Sequence, residues 1–348
     1  MEKITPALRN PNAAHMFKST IDNSREQAIE RDKEISTQSV AIYTDGSGME
    51  GKIGAAAVLY RNGRRVKAVR YLLGAETEHT VHEGELVGIA LGIHLARTMQ
   101  GNRAKVNISL DNQAAIQSIT RARPNAGQHV VENILSEIED ELSDYRRLRM
   151  EFTWVPGHEG IQGNEAADEE AKKAITEGAS RPSEHPRWLR EPLPSNLSAV
   201  KQECKRLAKE GARERWNNSK RFDRMSKIDE TMPSGRYLKL TDKLSRRDAA
   251  LLIQLRTGHT GLNGHLNRIN RADSPWCPHC GERNYENLTH VLYICPKYGE
   301  ARAEWERSLR GRTEDLKEVL GTEDGIEETL KFIRKTRRWR TGRAVEGE

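Results

Sequence analysis

The sequence of 348 residues lacks any long apolar run. No stretch approaches the roughly 20 apolar residues that a helix needs to span a bilayer. The N-terminal residues MEKITPALRNPNAAH also lack the apolar core of a secretory signal. Hydrophobic residues make up 36% of the chain and charged residues 31%. We therefore expect a strongly hydrated intracellular protein without a membrane partner; the sequence does not distinguish nucleus from cytoplasm.

Cysteine is scarce, and its distribution is uneven. Only four cysteines are present, and three of them lie within nineteen residues. An intracellular setting disfavours disulfides, so the cluster indicates metal binding rather than redox chemistry. Together with one histidine it has the spacing Cys-x2-Cys-x9-His-x4-Cys, which predicts one structural, tetrahedral Zn²⁺ ion. The predicted ligands are Cys277, Cys280, His290 and Cys295. The alternative is three unpaired thiols and an unrelated histidine.

Charge and composition divide the chain into four parts. Residues 1–37 form a polar tail or linker with a helical pattern at 23–35. Residues 38–178 form a first domain, 179–198 a proline-rich linker, and 199–348 a basic, mainly helical region with the zinc module at about 275–297. Residues 36–178 carry a net charge of −4 and residues 179–348 a net charge of +10. This asymmetry suits a cation site followed by a polyanion-binding region, although solvated helix faces would give similar charge runs.

The first domain has a mixed α/β pattern. Its first three strands are linked as hairpins, and an Asn62-Gly63 pair marks the second turn. Helices are predicted at about 81–99, where Thr80 is the N-cap, at 112–120, at 128–145 and at 163–175, with further strands between them. This order predicts a mixed five-stranded sheet flanked by helices.

Two acidic residues of this domain are predicted at the same end of the sheet. Asp45 ends the first strand and Asp111 ends the strand KVNISLD. Each also has an ordinary structural interpretation, since Asp commonly initiates turns before glycine and caps helices.

Two more acidic residues lie on predicted helices. Glu85 shares a helix face with Ile89 and Ile93, so it should be buried, which is costly unless the carboxylate is paired or binds metal. Glu78 and Glu83 should face solvent. Asp168 lies in the first turns of the last helix, where Glu169 and Glu170 are interpreted as favourable helix-dipole charges.

Four motifs in order resemble type 1 ribonucleases H over roughly residues 38–178. They are YTDGS, HEGEL, SLDNQAA and WVPGHEGIQGNEAAD. The resemblance implies the ribonuclease H-like fold and cleavage of the RNA strand of RNA–DNA hybrids. It implies two Mg²⁺ ions, for which Mn²⁺ could substitute, bound by Asp45, Glu85, Asp111 and Asp168. It also assigns the family's loop histidine to His158 and its loop asparagine to Asn164.

A histidine and several small polar residues are predicted to serve catalysis and substrate recognition. An imidazole at His158 could move a proton to the departing 3′-oxygen; the alternative is an ordinary surface-loop histidine. The residues expected to recognise the 2′-hydroxyl of the RNA strand are Ser47, Asn112, Gln113 and Asn164. The short segment RARPNAG lacks the basic, Trp-containing handle of some family members, which predicts weak autonomous binding.

Residues of about 240–305 resemble the segment that follows the ribonuclease H domain in non-LTR retrotransposon polyproteins. The matching stretches are LSRRDAALLIQLRTGHTGLNGHL, the cysteine cluster and ICPKYGEAR. In those polyproteins a reverse transcriptase comes first, and residues 1–37 are too short to hold one. We therefore expect a fragment or a stand-alone derivative, with a separate reverse transcriptase domain as one partner.

Basic residues around the zinc module are predicted to contact phosphates. They are Arg256, Arg268, Arg271, Arg283 and the stretch RKTRRWRTGR at 334–343. Besides the hydrolase, two other functions are consistent with parts of the sequence. One is a non-catalytic nucleic-acid-binding remnant; the other is a transposase-like strand-transfer enzyme, which the tight hairpins and the GHEGIQGNEAAD loop disfavour.

Overall fold

The structure is a computed structural model that describes residues 1–4, 17–38, 40–99, 105–121, 123–143 and 149–339. Two compact units are present, residues 1–206 and residues 207–348. None of the helices in the described ranges combines the length and apolarity required to cross a bilayer.

The N-terminal unit is built around one mixed sheet. Its strands are β1 (Lys18–Thr20), β2 (Val40–Met49), β3 (Lys52–Arg61), β4 (Arg64–Ala75), β5 (Lys105–Leu110) and β6 (Arg149–Trp154). Its helices are α1 (Arg25–Ser36), α2 (Val81–Thr98), α3 (Gln113–Thr120), α4 (Gln128–Ser143) and α5 (Gln162–Thr176), and α6 (Leu197–Asn217) begins in this unit. Residues 144 and 145, the end of the helix predicted at 128–145, lie outside the described residues. The predicted α/β class with a helix-flanked sheet is confirmed.

The strand order is β1-β6-β5-β2-β3-β4. β2, β3 and β4 are antiparallel neighbours, whereas β1, β6, β5 and β2 pair in parallel. Asn62 and Gly63 both have positive φ, 49° and 70°, as the predicted two-residue hairpin turn requires. Five strands are those predicted from the sequence, and the parallel β5 and β6 follow the hairpins as expected.

The sixth strand, β1, lies in the segment predicted as a polar tail. Phe17 is buried and packs edge-on against Phe152, with ring centroids 5.1 Å apart. Lys18 forms an ion pair with Glu151, and the Thr20 hydroxyl donates to the same carboxylate at 3.1 Å. One aromatic anchor and one shared carboxylate are too short a pattern to predict a strand from sequence.

Helices cover both faces of the sheet. On one face, α2, α3 and α4 enclose a core that includes Ile89, Ile108 and Phe152. On the other face, α1 and α5 cover a smaller cluster that includes Tyr43 and Ala167. Within 179–198, the predicted linker, Pro182–Glu184 and Arg187–Arg190 form short 3-10 helices, and Leu189 is buried in the first core.

The C-terminal unit is mainly helical, as predicted. Besides the end of α6 it contains α7 (Phe222–Met225), α8 (Arg236–Thr241), α9 (Arg246–Thr257), α10 (Asn263–Arg268), α11 (Gly299–Ser308), α12 (Leu316–Gly321) and α13 (Glu323–Thr336). A small hairpin of β7 (Trp276–Cys277) and β8 (Gly281–Tyr285) precedes a π-helical segment at His290–Ile294. The core lies among α9, α11, α12 and α13.

Candidate active site and metal centres

Three carboxylates predicted from the sequence converge in the N-terminal unit. One carboxylate oxygen from each of Asp45, Glu85 and Asp111 lies within 4.8 Å of the others. Asp45 and Glu85 are buried, with 6% and 4% of their surface exposed, and Asp111 is half-buried. Their convergence places three acidic groups in a volume that can hold a hard divalent cation.

Parallel pairing of β2 with β5 brings Asp45 and Asp111 together. Tyr43 lies opposite Ser109 in this register. Asp45 lies two residues after Tyr43, and Asp111 lies two residues after Ser109. Both carboxylates therefore lie just beyond the last paired residues of β2 and β5. The prediction that β2 ends at Asp45 was wrong. The strand continues to Met49, because pairing with β3 extends to Met49 and Lys52.

A close contact between α2 and β2 positions Glu85. A Cβ atom at Gly46 would lie 2.2 Å from the backbone nitrogen of Glu85 and 2.4 Å from the carbonyl carbon of Gly84. Only glycine therefore allows the helix to approach the strand this closely. Thr80 caps α2 as predicted, by accepting a hydrogen bond from the Glu83 backbone nitrogen. The predicted burial of Glu85 is confirmed.

The cluster strongly disfavours negative charge. Burial, the negative charge of Asp111 and then that of Asp168 raise the pKa of Asp45 to about 7. Burial and the negative charges of Asp45 and Asp111 raise the pKa of Glu85 well above its usual value. Glu85 Oε2 is buried and has no hydrogen-bond partner among the described residues. A cation among these groups would favour their charged forms and satisfy this oxygen.

Asp168 is not part of the three-carboxylate group. Its Oδ2 atom lies 2.7 Å from Lys172 Nζ, one helical turn further along α5. Its charge nevertheless raises the pKa of Asp45, so the two carboxylates are electrostatic neighbours. The structure thus places the fourth predicted carboxylate beside the cluster and paired with an ammonium group.

The predicted substrate-recognising residues surround the cluster in different ways. Asn112 caps α3, and its hydrogen bond to Glu85 offsets part of the rise that burial and the neighbouring carboxylates cause in the pKa of Glu85. Asn164 is buried and donates from Nδ2 to Asp111 Oδ2 at 3.2 Å. Gln113 is exposed at the start of α3, and Ser47 is buried in β2. Asn112 and Asn164 therefore support the carboxylates directly.

The loop that carries His158 starts against the cluster. A Cβ atom at Gly157 would lie 2.6 Å from Asp111 Oδ2, so glycine permits this approach. The Trp154 indole nitrogen donates to the Asp111 carbonyl oxygen at 3.0 Å. His158 itself is exposed and has a positive φ of 59°. The His158 imidazole is thus accessible to solvent, and the preceding residue, Gly157, lies against Asp111 of the cluster.

Two acidic residues that the sequence analysis left outside the metal site are buried. Glu83 is fully buried beside His79, with a ring-nitrogen-to-carboxylate distance of 2.9 Å, and near His129. Glu170 is 2% exposed and forms ion pairs with Arg65 and Arg70 of β4. The prediction that Glu83 faces solvent was wrong: His79, four residues earlier in the chain, and the sequence-distant His129 lie beside its buried carboxylate. Glu78 is exposed, as predicted.

The four predicted zinc ligands converge in the C-terminal unit. One ligand atom from each of Cys277, Cys280, His290 and Cys295 lies within 4.8 Å of the others. The Cys295 sulfur lies 3.9 Å from that of Cys277 and 3.8 Å from that of Cys280. Zinc–sulfur bonds of about 2.3 Å in a tetrahedron require sulfur–sulfur distances of roughly 3.8 Å. The thiol positions therefore fit a tetrahedral zinc centre.

The electrostatics of this cluster also fit a metal. His290 Nε2 is buried without a hydrogen-bond partner among the described residues. Burial lowers the pKa of His290, which favours the neutral imidazole that metals bind. Burial and the neighbouring thiols raise the pKa of Cys280 to about 12, so thiolate is unfavourable there without a cation. The residues present suit zinc by geometry and by donor type.

The arginines expected to face phosphates around this cluster differ in exposure. Arg256 is only 1% exposed; it donates to the Leu320 carbonyl oxygen at 2.9 Å and lies 3.5 Å from Asp229. The prediction that Arg256 contacts phosphates was therefore wrong. Arg268 and Arg271 are exposed. The side chain of Arg283 and residues 340–343 of the basic stretch lie outside the described residues.

Comparison with known proteins places the first domain in a family. Residues 37–176 match the family model for RNase H. The chain is 34% identical over 156 residues to a ribonuclease H of Nitrosococcus oceani, a match that covers 42% of this chain and 99% of the relative. It is 37% identical over 155 residues to a ribonuclease H of an Acidovorax species, covering 41% and 98%. The Pol polyprotein of equine infectious anemia virus is 35% identical over 137 residues, which are 39% of this chain and 10% of that polyprotein.

Proposed function

The chain belongs to the ribonuclease H family, and from this premise we propose that its first domain cuts the RNA strand of RNA–DNA hybrids endonucleolytically at the carboxylate cluster. The observation that carries the proposal is the convergence of Asp45, Glu85 and Asp111 within 4.8 Å in a buried setting. Such a cluster is costly to keep charged unless it binds cations. The proposal is also supported by two bacterial relatives named ribonuclease H, which the chain matches over 99% and 98% of their length.

Two Mg²⁺ ions are the proposed cofactor, and Mn²⁺ could replace them. Asp45, Glu85 and Asp111 would hold the ions. Asp168 would become a further ligand by giving up its ion pair with Lys172. Bound there, the ions would supply activation of a water molecule and stabilisation of the leaving oxygen. Oxygen-only donors suit Mg²⁺ and Mn²⁺ rather than softer metals.

The surrounding side chains would position the carboxylates and the substrate. Asn112 and Asn164 hold Glu85 and Asp111 by hydrogen bonds. We propose that Gln113, which is exposed beside Asn112, and Ser47 contribute to recognition of the hybrid. A 2′-hydroxyl, which donates and accepts, would distinguish the RNA strand.

His158 is the proposed proton-transfer residue. It is exposed, and its neighbour Gly157 contacts Asp111. An imidazole at this place can donate a proton to the departing 3′-oxygen of the RNA strand at near-neutral pH. Its position on a loop rather than in the buried cluster predicts assistance to the reaction and not an absolute requirement.

A substrate comparison tests the proposed activity. The full chain is incubated with Mg²⁺ and end-labelled RNA–DNA hybrid, duplex RNA and duplex DNA of one sequence. We expect internal cuts in the RNA strand of the hybrid and none in either homoduplex. Intact RNA in the hybrid under these conditions would contradict the hydrolase and favour a non-catalytic binding protein. DNA-strand joining or cleavage would instead favour a strand-transfer enzyme.

The Cys277–Cys295 cluster is proposed to bind one structural Zn²⁺ ion. Four protein ligands fill a tetrahedral site and leave no position for water, so we expect no chemistry there. Elemental analysis of protein purified without chelators should give one zinc per chain. A zinc content near zero would contradict this proposal.

A retroelement origin is proposed for the whole chain. The proposal rests on the resemblance to non-LTR retrotransposon polyproteins that the sequence analysis drew for residues 240–305, and on the match of 39% of the chain to a viral Pol polyprotein. A reverse transcriptase domain would then be a functional partner. The genomic neighbourhood provides the test, since reverse transcriptase coding sequence should flank at least some copies of this gene; its absence from all copies would contradict the origin.

A further inference from the structure

The C-terminal unit contains a cleft separate from its Cys/His cluster. The cleft has a volume of about 510 Å³ and lies between α9, α10 and the end of α13. This volume falls within the range of small-ligand sites, roughly 300–1,000 Å³. Its lining residues are Gln254, His259, Thr260, Gly261, His265, Leu266, Ile269, Arg337, Arg338 and Trp339.

The acidic and basic residues that line the cleft are of one type. The lining includes two arginines and no aspartate or glutamate. The Arg338 guanidinium donates to both carboxylate oxygens of Glu286, at 2.7 and 2.6 Å, which fixes its position and compensates its charge. Arg337 is exposed and has no ion-pair partner among the described residues. The guanidinium that the cleft offers to an anion is therefore that of Arg337.

The same cleft offers flat rings and hydrogen-bond donors. The rings of His259 and His265 lie edge to face, with centroids 5.1 Å apart. The Trp339 indole nitrogen is buried and has no hydrogen-bond partner among the described residues. Gln254 adds an amide that can donate and accept. An anion with an attached flat, polar ring would use all of these groups.

The positive surface continues beyond the cleft along α10. Arg268 and Arg271 are exposed, and Arg268 donates to His265 Nδ1 at 2.8 Å. A chain of phosphates leaving the cleft in this direction would meet further guanidinium groups. This continuity favours a polymer over an isolated small anion.

We propose that the cleft binds one unpaired nucleotide of a single-stranded nucleic acid, with its phosphate at Arg337 and its base against the histidine rings. Stacking on protein rings needs an exposed base face, which a duplex does not present inside its helix. The neighbouring phosphates of the strand would lie toward Arg268 and Arg271. The proposal is independent of the ribonuclease site, because all the residues that carry it belong to the C-terminal unit.

Binding of a fluorescein-labelled 12-nucleotide oligothymidylate to the full chain tests the proposal by anisotropy, in buffer without Mg²⁺. Arg337→Gln should weaken binding about tenfold and reduce the salt dependence. Arg310→Gln is a matched control: both arginines are exposed and share a φ of 51°, but Arg310 does not line the cleft. It should change affinity less than about twofold. Trp339→Phe, which removes the indole N–H, should weaken binding severalfold at unchanged zinc content.

Equal affinities of wild type, Arg337→Gln and Trp339→Phe would overturn the site. Displacement of the oligonucleotide by adenosine monophosphate at equal nucleotide concentration would overturn its assignment to a strand. Cleavage of a blunt hybrid, measured in parallel, should be unchanged in Arg337→Gln. If wild type binds the oligonucleotide but leaves the hybrid intact, only the proposed ribonuclease function fails.

Discussion

The two ligand clusters of this protein are assembled in different ways. The carboxylates come from a strand, a helix and the end of a second strand, whereas the thiols and the imidazole come from one segment of nineteen residues. The thiol and imidazole cluster offers four protein ligands at tetrahedral spacing. The carboxylate cluster offers three, with Asp168 beside it and tied to Lys172. A closed ligand set favours a structural ion, and an open one leaves room for water and substrate.

Substitution of one carboxylate should have the largest effect, and it should impair hybrid cleavage without changing zinc binding. Asp45→Asn keeps the side-chain shape but removes a ligand charge, so we expect hybrid cleavage to fall more than about 100-fold. Hybrid binding and zinc content should be retained. Single-turnover cleavage at saturating Mg²⁺ provides the measurement. Asp22→Asn, at a carboxylate paired with Arg31 outside the cluster, is the control; wild-type rates in Asp45→Asn would exclude a ligand role.

Substitution of one thiol should instead impair zinc binding and the stability of the C-terminal unit. Cys277→Ser should abolish zinc binding and destabilise the C-terminal unit by several kcal/mol, because metal binding contributes to folding. Thermal unfolding and elemental analysis measure both effects. Cys204→Ser is the control, since Cys204 is exposed and distant in sequence from the other three. Zinc at one per chain in Cys277→Ser would contradict the ligand assignment.

Changing the loop histidine should have a smaller effect than changing a carboxylate. Proton transfer by a side chain is typically worth about 10²–10⁴-fold, and we expect His158→Ala to lose activity toward the lower end because solvent can donate in its place. The decrease should shrink as the pH falls, since external protons replace the imidazole. A rate equal to wild type across pH 6–9 would leave His158 as an ordinary surface residue.

The stability of the metal-free protein should depend on pH through the carboxylate cluster. The folded state holds the Asp45 proton up to a pKa of about 7, whereas the ordinary value is 3.8. Between these values the folded state binds more protons than the unfolded state, so the free energy of unfolding decreases as the pH rises. Mg²⁺ should consequently raise the melting temperature more at pH 8 than at pH 6. An equal increase at both pH values would contradict this account.

Local sequence patterns predicted the cluster of three cysteines and one histidine and the burial of Glu85. Cys277, Cys280, His290 and Cys295 occur at ligand spacing within one segment. Glu85 shares a helix face with apolar residues, and its burial follows from that periodicity alone. Asp45 and Asp111 could be assigned to one edge of the sheet, but their separation depends on the register between β2 and β5. The family resemblance, not the individual residues, connected them with Asp168.

The incorrect predictions share one physical cause. Glu83 and Arg256 are charged residues that helix periodicity or local charge suggested would face solvent or ligand. Glu83 is buried beside His79 and near His129, and Arg256 is buried near Asp229. A buried charge requires such partners, and a single sequence does not reveal which distant residue supplies them.

Mn²⁺ binding, measured by electron paramagnetic resonance, tests most directly whether the carboxylate cluster binds a divalent cation independently of the cysteine and histidine cluster. Mn²⁺ prefers oxygen ligands, so it reports on the carboxylates rather than on the thiols. The full chain is titrated as wild type, Asp45→Asn and Cys277→Ser, with unfolding curves confirming that the N-terminal unit is folded. We predict that Asp45→Asn weakens Mn²⁺ binding by at least about tenfold and that Cys277→Ser leaves it unchanged. Wild-type Mn²⁺ affinity in Asp45→Asn would contradict the assignment of the carboxylate cluster as the catalytic metal site.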